Sequence, residues 1–258
     1  MRRSAPRAQD EPAPFAERVQ ATSMSASIPP DRWVRYFDQH GALDAGWLSS
    51  AISHWCFSER LHGQLVRFLP SGGRVLDVGC GPGNSVLWFA ANGYSALGAD
   101  REEQLVAIAT ERSRALGSTA KFEVADAHDL ADFHGRFDLA YSVGVLEHFD
   151  RAETVRLLQE QGKCARHVAI AIPTRLSRYT NEVSDERFYS IRELERIVVD
   201  AGLRPVGHFG YGEVAATRLH RLVSLLLPKA VLRLAQDHGY AYTITVVGRN
   251  DQWSSRNT

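Results

Sequence analysis

The sequence predicts an α/β fold: a mostly parallel, seven-stranded sheet with helices on both faces. Three observations lead there. Short apolar runs alternate with helix-like segments from Arg74 to Val247. The first run, Arg74–Val78, enters a turn with glycines at 79, 81 and 83. The following runs end in acids, Asp100, Asp126 and Glu147.

The elements follow in order. Asp31–Phe37 reads as a short amphipathic helix behind Pro29-Pro30, with Asp31 placed to cap it. Helical patterns cover Ala45–Trp55 and Glu59–Phe68, and Pro70-Ser71-Gly72-Gly73 breaks the second. Strands are expected at Arg74–Val78, Ser95–Ala99, Ala120–Val124, Phe137–Ser142, Ala165–Ile172, Arg204–Phe209 and Ala241–Val247. Helices are expected at Asn84–Asn92, Glu102–Leu116, Arg151–Gln161 and Ile191–Ala201, the last stopped by Gly202. Two segments stand outside the alternation. Residues 174–190 are polar, and residues 213–238 carry a stripe of Leu219, Leu222, Val223 and Leu226 before Pro228. The stripe suits core packing, a hydrophobic substrate wall, or a dimer or membrane-surface face.

Composition narrows the class. The chain has 258 residues, 44% hydrophobic, enough for one sizeable core. Thirty basic residues balance thirty acidic ones, which leaves no overall electrostatic footprint for nucleic acid. Cys56, Cys80 and Cys164 form no CxxC pair, so neither a disulfide framework nor a metal site is expected. No apolar run spans a membrane, so no stable insertion is expected. Residues 1–30 are rich in Ala, Pro and Ser and read as a disordered tail without a signal-peptide core, so a cytoplasmic location is expected. Translation can start at Met1 or Met24; the later start removes only tail.

The chemistry sits at the strand ends. Glycines let the backbone turn sharply and approach a ligand where a Cβ would collide. The helix after them would offer free N–H groups to a carboxylate or phosphate. Dinucleotide binding prefers GxGxxG, but Asn84 stands where the third glycine would fall, which disfavours a pyrophosphate. Asp100 suits the vicinal hydroxyls of a ribose, or caps the next helix. Asp126 suits an exocyclic amine, or caps a loop. All these ends share the crevice where open α/β sheets bind ligands.

These blocks, Val75-Leu76-Asp77-Val78-Gly79-Cys80-Gly81-Pro82-Gly83, Gly98-Ala99-Asp100, Ala125-Asp126-Ala127 and Val145-Leu146-Glu147-His148, resemble the class I S-adenosylmethionine (SAM)-dependent methyltransferases. The likeness is to the small-molecule group typified by ubiquinone and menaquinone biosynthesis, and it covers roughly residues 74–201. It implies a Rossmann-like sheet with an antiparallel last strand and SAM as cofactor, S-adenosylhomocysteine (SAH) being the product. By position, Gly79, Gly81 and Gly83 would hold the methionine end and Asp77 would fix the turn. Asp100 would bind ribose, and Asp126 with the Ala127 N–H would read adenine. Ser142 and Val143 would line the methionine side. The helix with Trp33, Tyr36 and Phe37 resembles a lid, within a helical segment 31–70, or is simply packed on the body. His148 is the first candidate base and Glu147 the second. Arg178, Tyr179 and His208 are candidates for the acceptor, which is a small metabolite methylated on oxygen or nitrogen. The expected partner is that metabolite alone, in a monomer or homodimer. The rivals are a non-catalytic SAM-binding regulator and, further off, an NAD-dependent oxidoreductase.

Overall fold

The computed structural model describes residues 31–44, 46–177, 185–214, 222 and 226–253. The expected tail 1–30 lies outside them, as do Ala45, Arg178, Tyr179, Leu219 and Val223.

Seven strands form one sheet: β1 (Arg74–Val78), β2 (Ser95–Asp100), β3 (Lys121–Val124), β4 (Phe137–Val143), β5 (Ala165–Pro173), β6 (Arg204–Tyr211) and β7 (Thr243–Arg249). Their order is β3-β2-β1-β4-β5-β7-β6. β7 inserts between β5 and β6 and runs antiparallel to both, while β1 to β5 pair parallel. The helices are α1 (Arg32–Gln39), α2 (Trp47–Phe57), α3 (Glu59–Leu65), α4 (Asn84–Ala91), α5 (Glu103–Ala115), α6 (Arg151–Cys164), α7 (Ile191–Asp200) and α8 (Lys229–Asp237). The chain leaves β1 toward β2 and β3, then returns to add β4 on the other side of β1. That reversal opens a crevice at the carboxyl ends of β1 and β4.

Alternation along β1 explains the layers. Val75 joins an apolar cluster with Leu61, Leu65, Val86 and Phe89, under α3 and α4. Leu76 and Val78 face the opposite layer with Leu97, Leu130 and Phe137. A third cluster seats α6 and α7 through Leu157, Leu158, Leu194 and Ile197 on Val168, Ile170 and Val246. Strands buried on both faces are continuous apolar runs, which is why they are legible in sequence.

The differences from expectation are local. Asp31 does not cap α1; its carboxylate accepts from Arg35, one turn along, at 2.6 Å. α6 runs on to Cys164 and enters β5 with no connecting loop, because Gln161, Gly162 and Cys164 are buried. β7 starts at Thr243, two residues late, since the Tyr242 N–H donates to Gly212 and its carbonyl accepts from Thr174. In the leucine stripe, Leu222 and Leu226 are exposed, so these two are not core. α8 is held to α3 by Arg60, whose guanidinium meets Asp237 at 2.8 and 2.9 Å and Gln236 at 2.7 Å. No helix among the described residues is long and apolar enough to cross a membrane.

Candidate active site

The glycine turn is tied inward. Gly79 and Cys80 both donate their N–H to the Ala99 carbonyl, at 2.8 and 3.1 Å. Gly81 donates to Asp100 Oδ2 at 2.8 Å. Gly81 has φ +51°, and a Cβ there would lie 2.8 Å from the Phe37 ring, so helix α1 packs directly on bare backbone. The first turn of α4 is roofed as well. Trp55 Nε1 donates to the Asn84 carbonyl at 2.7 Å, and His54 and His62 each reach Ser85 Oγ at 3.1 Å. The N–H groups of Gly79, Cys80 and Gly81 in the turn are therefore not available to a ligand. Their donors serve the acid-ended β2 instead.

Above the turn lies one cavity of about 320 Å³. Gly79, Gly81, Asp100, Asp126 and Ala127 form one part of its wall, with Val143, Gly144 and Val145 from the β4 exit beside them. Glu147, His148, Tyr211 and Tyr242 continue it, and Trp33, Tyr36 and Phe37 of α1 cover it. The structure thus brings together most of the residues singled out from sequence.

Several are not in the wall. Asp77 lies behind the turn, where Tyr141 donates its hydroxyl to Oδ2 at 2.8 Å. Burial pushes its carboxyl up to about 7. Gly83 packs against Phe122 and Ala109. Ser142 faces away from the cavity, its Oγ 3.5 Å from Gln161, because alternation sends Val143 toward the ligand side and Ser142 to the other. His208 is out of the site too; it lies at the sheet edge and pairs with Glu195 at 3.1 Å. Arg178 and Tyr179 lie outside the described residues.

The acids are held in defined geometry. Asp100 is 9% exposed and accepts from Gly81 and Glu102 N–H groups, at 2.8 and 3.0 Å. Burial raises its carboxyl, and these two bonds oppose the rise. An ionised carboxylate has about four lone-pair sites, so two bonds leave capacity for hydroxyl donors. Asp126 accepts from the His128 N–H at 2.9 Å and meets His128 Nδ1 at 2.6 Å. Burial raises the Asp126 carboxyl, but the His128 bonds outweigh it and the net shift is down. His128 is therefore no solvated bystander: its Nε2 also meets Glu153 at 2.6 Å.

At the β4 exit the two candidate bases differ. His148 Nδ1 lies 3.1 Å from Asp185, and its ring stands edge-on to Trp33 at 4.8 Å. Burial lowers its pKa, with Asp185 opposing. Glu147 is 1% exposed and its Oε2 has no partner. Burial pushes its carboxyl up to about 8.

Sequence reasoning missed four contributors. His54 lines the cavity from α2, within a stretch read only as helix. Burial lowers it to about 4, so it is neutral at ordinary pH. Tyr211 and Tyr242 close the far wall. Asp185 joins α1 to His148: Arg32 donates to its two oxygens at 2.6 and 2.7 Å. The only sequence signal for these was an aromatic or acidic residue in a segment flanking a strand end.

The strand order, the antiparallel β7 and a crevice floored by a glycine turn and two strand-end acids define a Rossmann-like class I methyltransferase fold. Residues 75–167 match a family described as a methyltransferase domain. A ubiquinone biosynthesis O-methyltransferase from Rhizobium etli is 36% identical over 77 residues, which are 30% of this chain and 31% of that protein. The match thus spans about a third of the relative's length. In fold, the chain is similar to a magnesium protoporphyrin IX methyltransferase from Synechocystis with bound SAM. The TM-score is 0.57 at 16% identity, over 88% of this chain and all of that one. It is also similar to a [4+2]-cyclase, with TM-score 0.55 at 17% identity over 74% of this chain and 80% of that one.

The residues present fit SAM. Asp100 keeps acceptor capacity for hydroxyls, Asp126 for an amine, and Gly79 and Gly81 give a wall without side chains. The inward-tied turn N–H groups fit a pyrophosphate poorly.

Proposed function

We propose that this chain transfers a methyl group from SAM to an oxygen or nitrogen of a small-molecule metabolite. The observation that carries the reading is one cavity with two kinds of wall. Strand-end acids and glycine backbone suited to the donor adjoin aromatic and titratable side chains suited to an acceptor. SAM, when bound, supplies an electrophilic methyl on a sulfonium.

The chain's own residues would do the rest. Asp100 holds the ribose end and Asp126, oriented by His128, meets the adenine amine. Gly79 and Gly81 let the methionine end lie against backbone, and Val143 borders it. Asp77 and Gly83 support the turn from behind. Tyr36, with Trp33 and Phe37, covers the cavity and excludes water. Positioning is the main contribution to such a transfer. His148 and Glu147 are the groups placed to take a proton from an acceptor. The neutral net charge fits a small acceptor better than a nucleic acid. The titratable side chains His148 and Glu147 in the same cavity favour an enzyme over a non-catalytic SAM-binding protein, although the same fold serves a [4+2]-cyclase.

The test is calorimetric titration with SAH, with NAD run in parallel. Micromolar binding of SAH and none of NAD is expected. Binding of NAD alone removes the methyl-donor reading.

A further inference from the structure

Glu147 is a buried acid with one carboxylate oxygen unpartnered among the described residues. It is 1% exposed, it lines the cavity, and its Oε2 has no hydrogen-bond partner. A buried carboxyl without a partner is unfavourable, so its retention points to a group that arrives. Glu147 also lies near the donor side: a Cβ built on Gly144 would be 3.8 Å from Oε1. Gly144 and Val145 connect it to Gly79, since a Cβ there would lie 2.5 Å from Val145.

The surroundings select the charge of that group. The wall near Glu147 is aromatic. Tyr36, Phe57, Tyr211 and Tyr242 line the cavity with it, and Phe57 stands edge-on to Tyr211 and Tyr242 at 5.7 and 5.3 Å. Glu186 lines the cavity as well. Among the described lining residues the only Lys or Arg is Arg101, which is paired with Glu102 next to Asp100. A phenolate or carboxylate acceptor would meet like charge and no guanidinium. An ammonium would meet a carboxyl and aromatic side chains, both favourable to a cation.

We propose that the acceptor is an organic amine whose nitrogen is received by Glu147 against the aromatic wall. This rests on the methyl-transfer reading above. The ammonium gives one N–H proton to the Glu147 carboxylate, leaving a neutral amine and a carboxylic acid. The freed lone pair forms the N–CH3 bond as the donor's S–CH3 bond breaks, its electrons staying on sulfur. Burial raises the Glu147 carboxyl to about 8, so once an arriving ammonium has drawn it into the carboxylate form it is a stronger proton acceptor than an ordinary acid.

The test uses two SAH analogues in which nitrogen replaces sulfur and carries a three-carbon arm. The arm ends in an amine in one and a hydroxyl in the other. Calorimetry on the full chain should show the amine-armed compound binding at least tenfold tighter. Glu147→Gln should cut that preference below threefold while SAH affinity stays within threefold of wild type. Glu147→Asp, which keeps the charge but shortens the reach, should reduce the preference if Glu147→Gln does not fold. Equal binding of the two arms, or a preference that survives both substitutions, overturns the proposal. If SAH itself does not bind the wild type, the methyl-donor reading has failed and the amine assignment falls with it.

Discussion

Gly81 donates its backbone N–H to Asp100 at 2.8 Å, so the glycine turn after β1 and the acid ending β2 form one unit. Asp100 is thus committed twice: to the protein's own backbone, and, in the proposed site, to ribose hydroxyls. Asp100→Ala should weaken SAH binding by ~1–3 kcal/mol through lost charge-assisted hydrogen bonds. The two commitments separate with 2′-deoxy-SAH. In wild type the deoxy compound should bind more weakly than SAH, and in Asp100→Ala the two should bind alike. Calorimetry with both ligands decides it; a full penalty for the missing hydroxyl in the variant removes the ribose assignment.

Arg32 fastens α1 to the body. It meets both oxygens of Asp185, and Asp185 in turn meets His148. The Arg187 N–H donates to the Glu147 carbonyl at 2.9 Å, which anchors the same segment beneath α1. The Arg32 bond pushes the Asp185 carboxyl down to about 2. A depressed acid contributes fully above its unfolded value near 3.8 and loses the contribution as pH falls through about 2. Asp185 therefore does not titrate between pH 5 and 8. Both side chains are partly exposed, so the pair is modest in strength. Arg32→Ala should speed SAH release by roughly two- to tenfold in stopped-flow displacement, with little change in thermal stability. Release at the wild-type rate would mean that α1 is held by its aromatic contacts, Phe37 on Gly81 and Trp33 on His148.

What was legible in the sequence was what lies close along the chain. The turn at Gly79, Gly81 and Gly83, and the acids Asp100 and Asp126, each follow an apolar run whose end can be counted. Face was harder than position. Ser142 and Val143 are neighbours on β4, yet alternation admits only one to the cavity, and composition did not say which. His208 failed for a related reason: its strand reads clearly, but on the edge strand β6 only the last residue, Tyr211, is in the cavity wall, and His208 points to Glu195 instead. Least legible were contacts across long separations. Arg32 meets Asp185 153 positions away, and Tyr141 meets Asp77 64 positions away. No local pattern encodes such a pairing, because it depends on how the finished sheet stacks its ends.

His62 provides the clearest stability test. Its ring is fully buried, stacked on Trp88 at 4.4 Å, with Nε2 on Ser85 and Nδ1 unpartnered. Burial, helped by His54, lowers it to about 3. The unfolded chain binds this proton near pH 6.5 and the native state does not. Stability from this site is therefore lost as pH falls from about 6.5 toward 3. His54, lowered to about 4, acts in the same direction, while Asp77, raised to about 7, acts in the opposite one. Both remain in a His62→Phe variant and largely cancel from the comparison. Phenylalanine keeps the stacking and removes the proton. Urea unfolding of both proteins at pH 7.5 and 4.5 should show the stability difference moving in favour of His62→Phe by roughly 2–3 kcal/mol on acidification. A difference that stays constant between the two pH values would mean that His62 takes up its proton without unfolding, through an opening between α3 and α4.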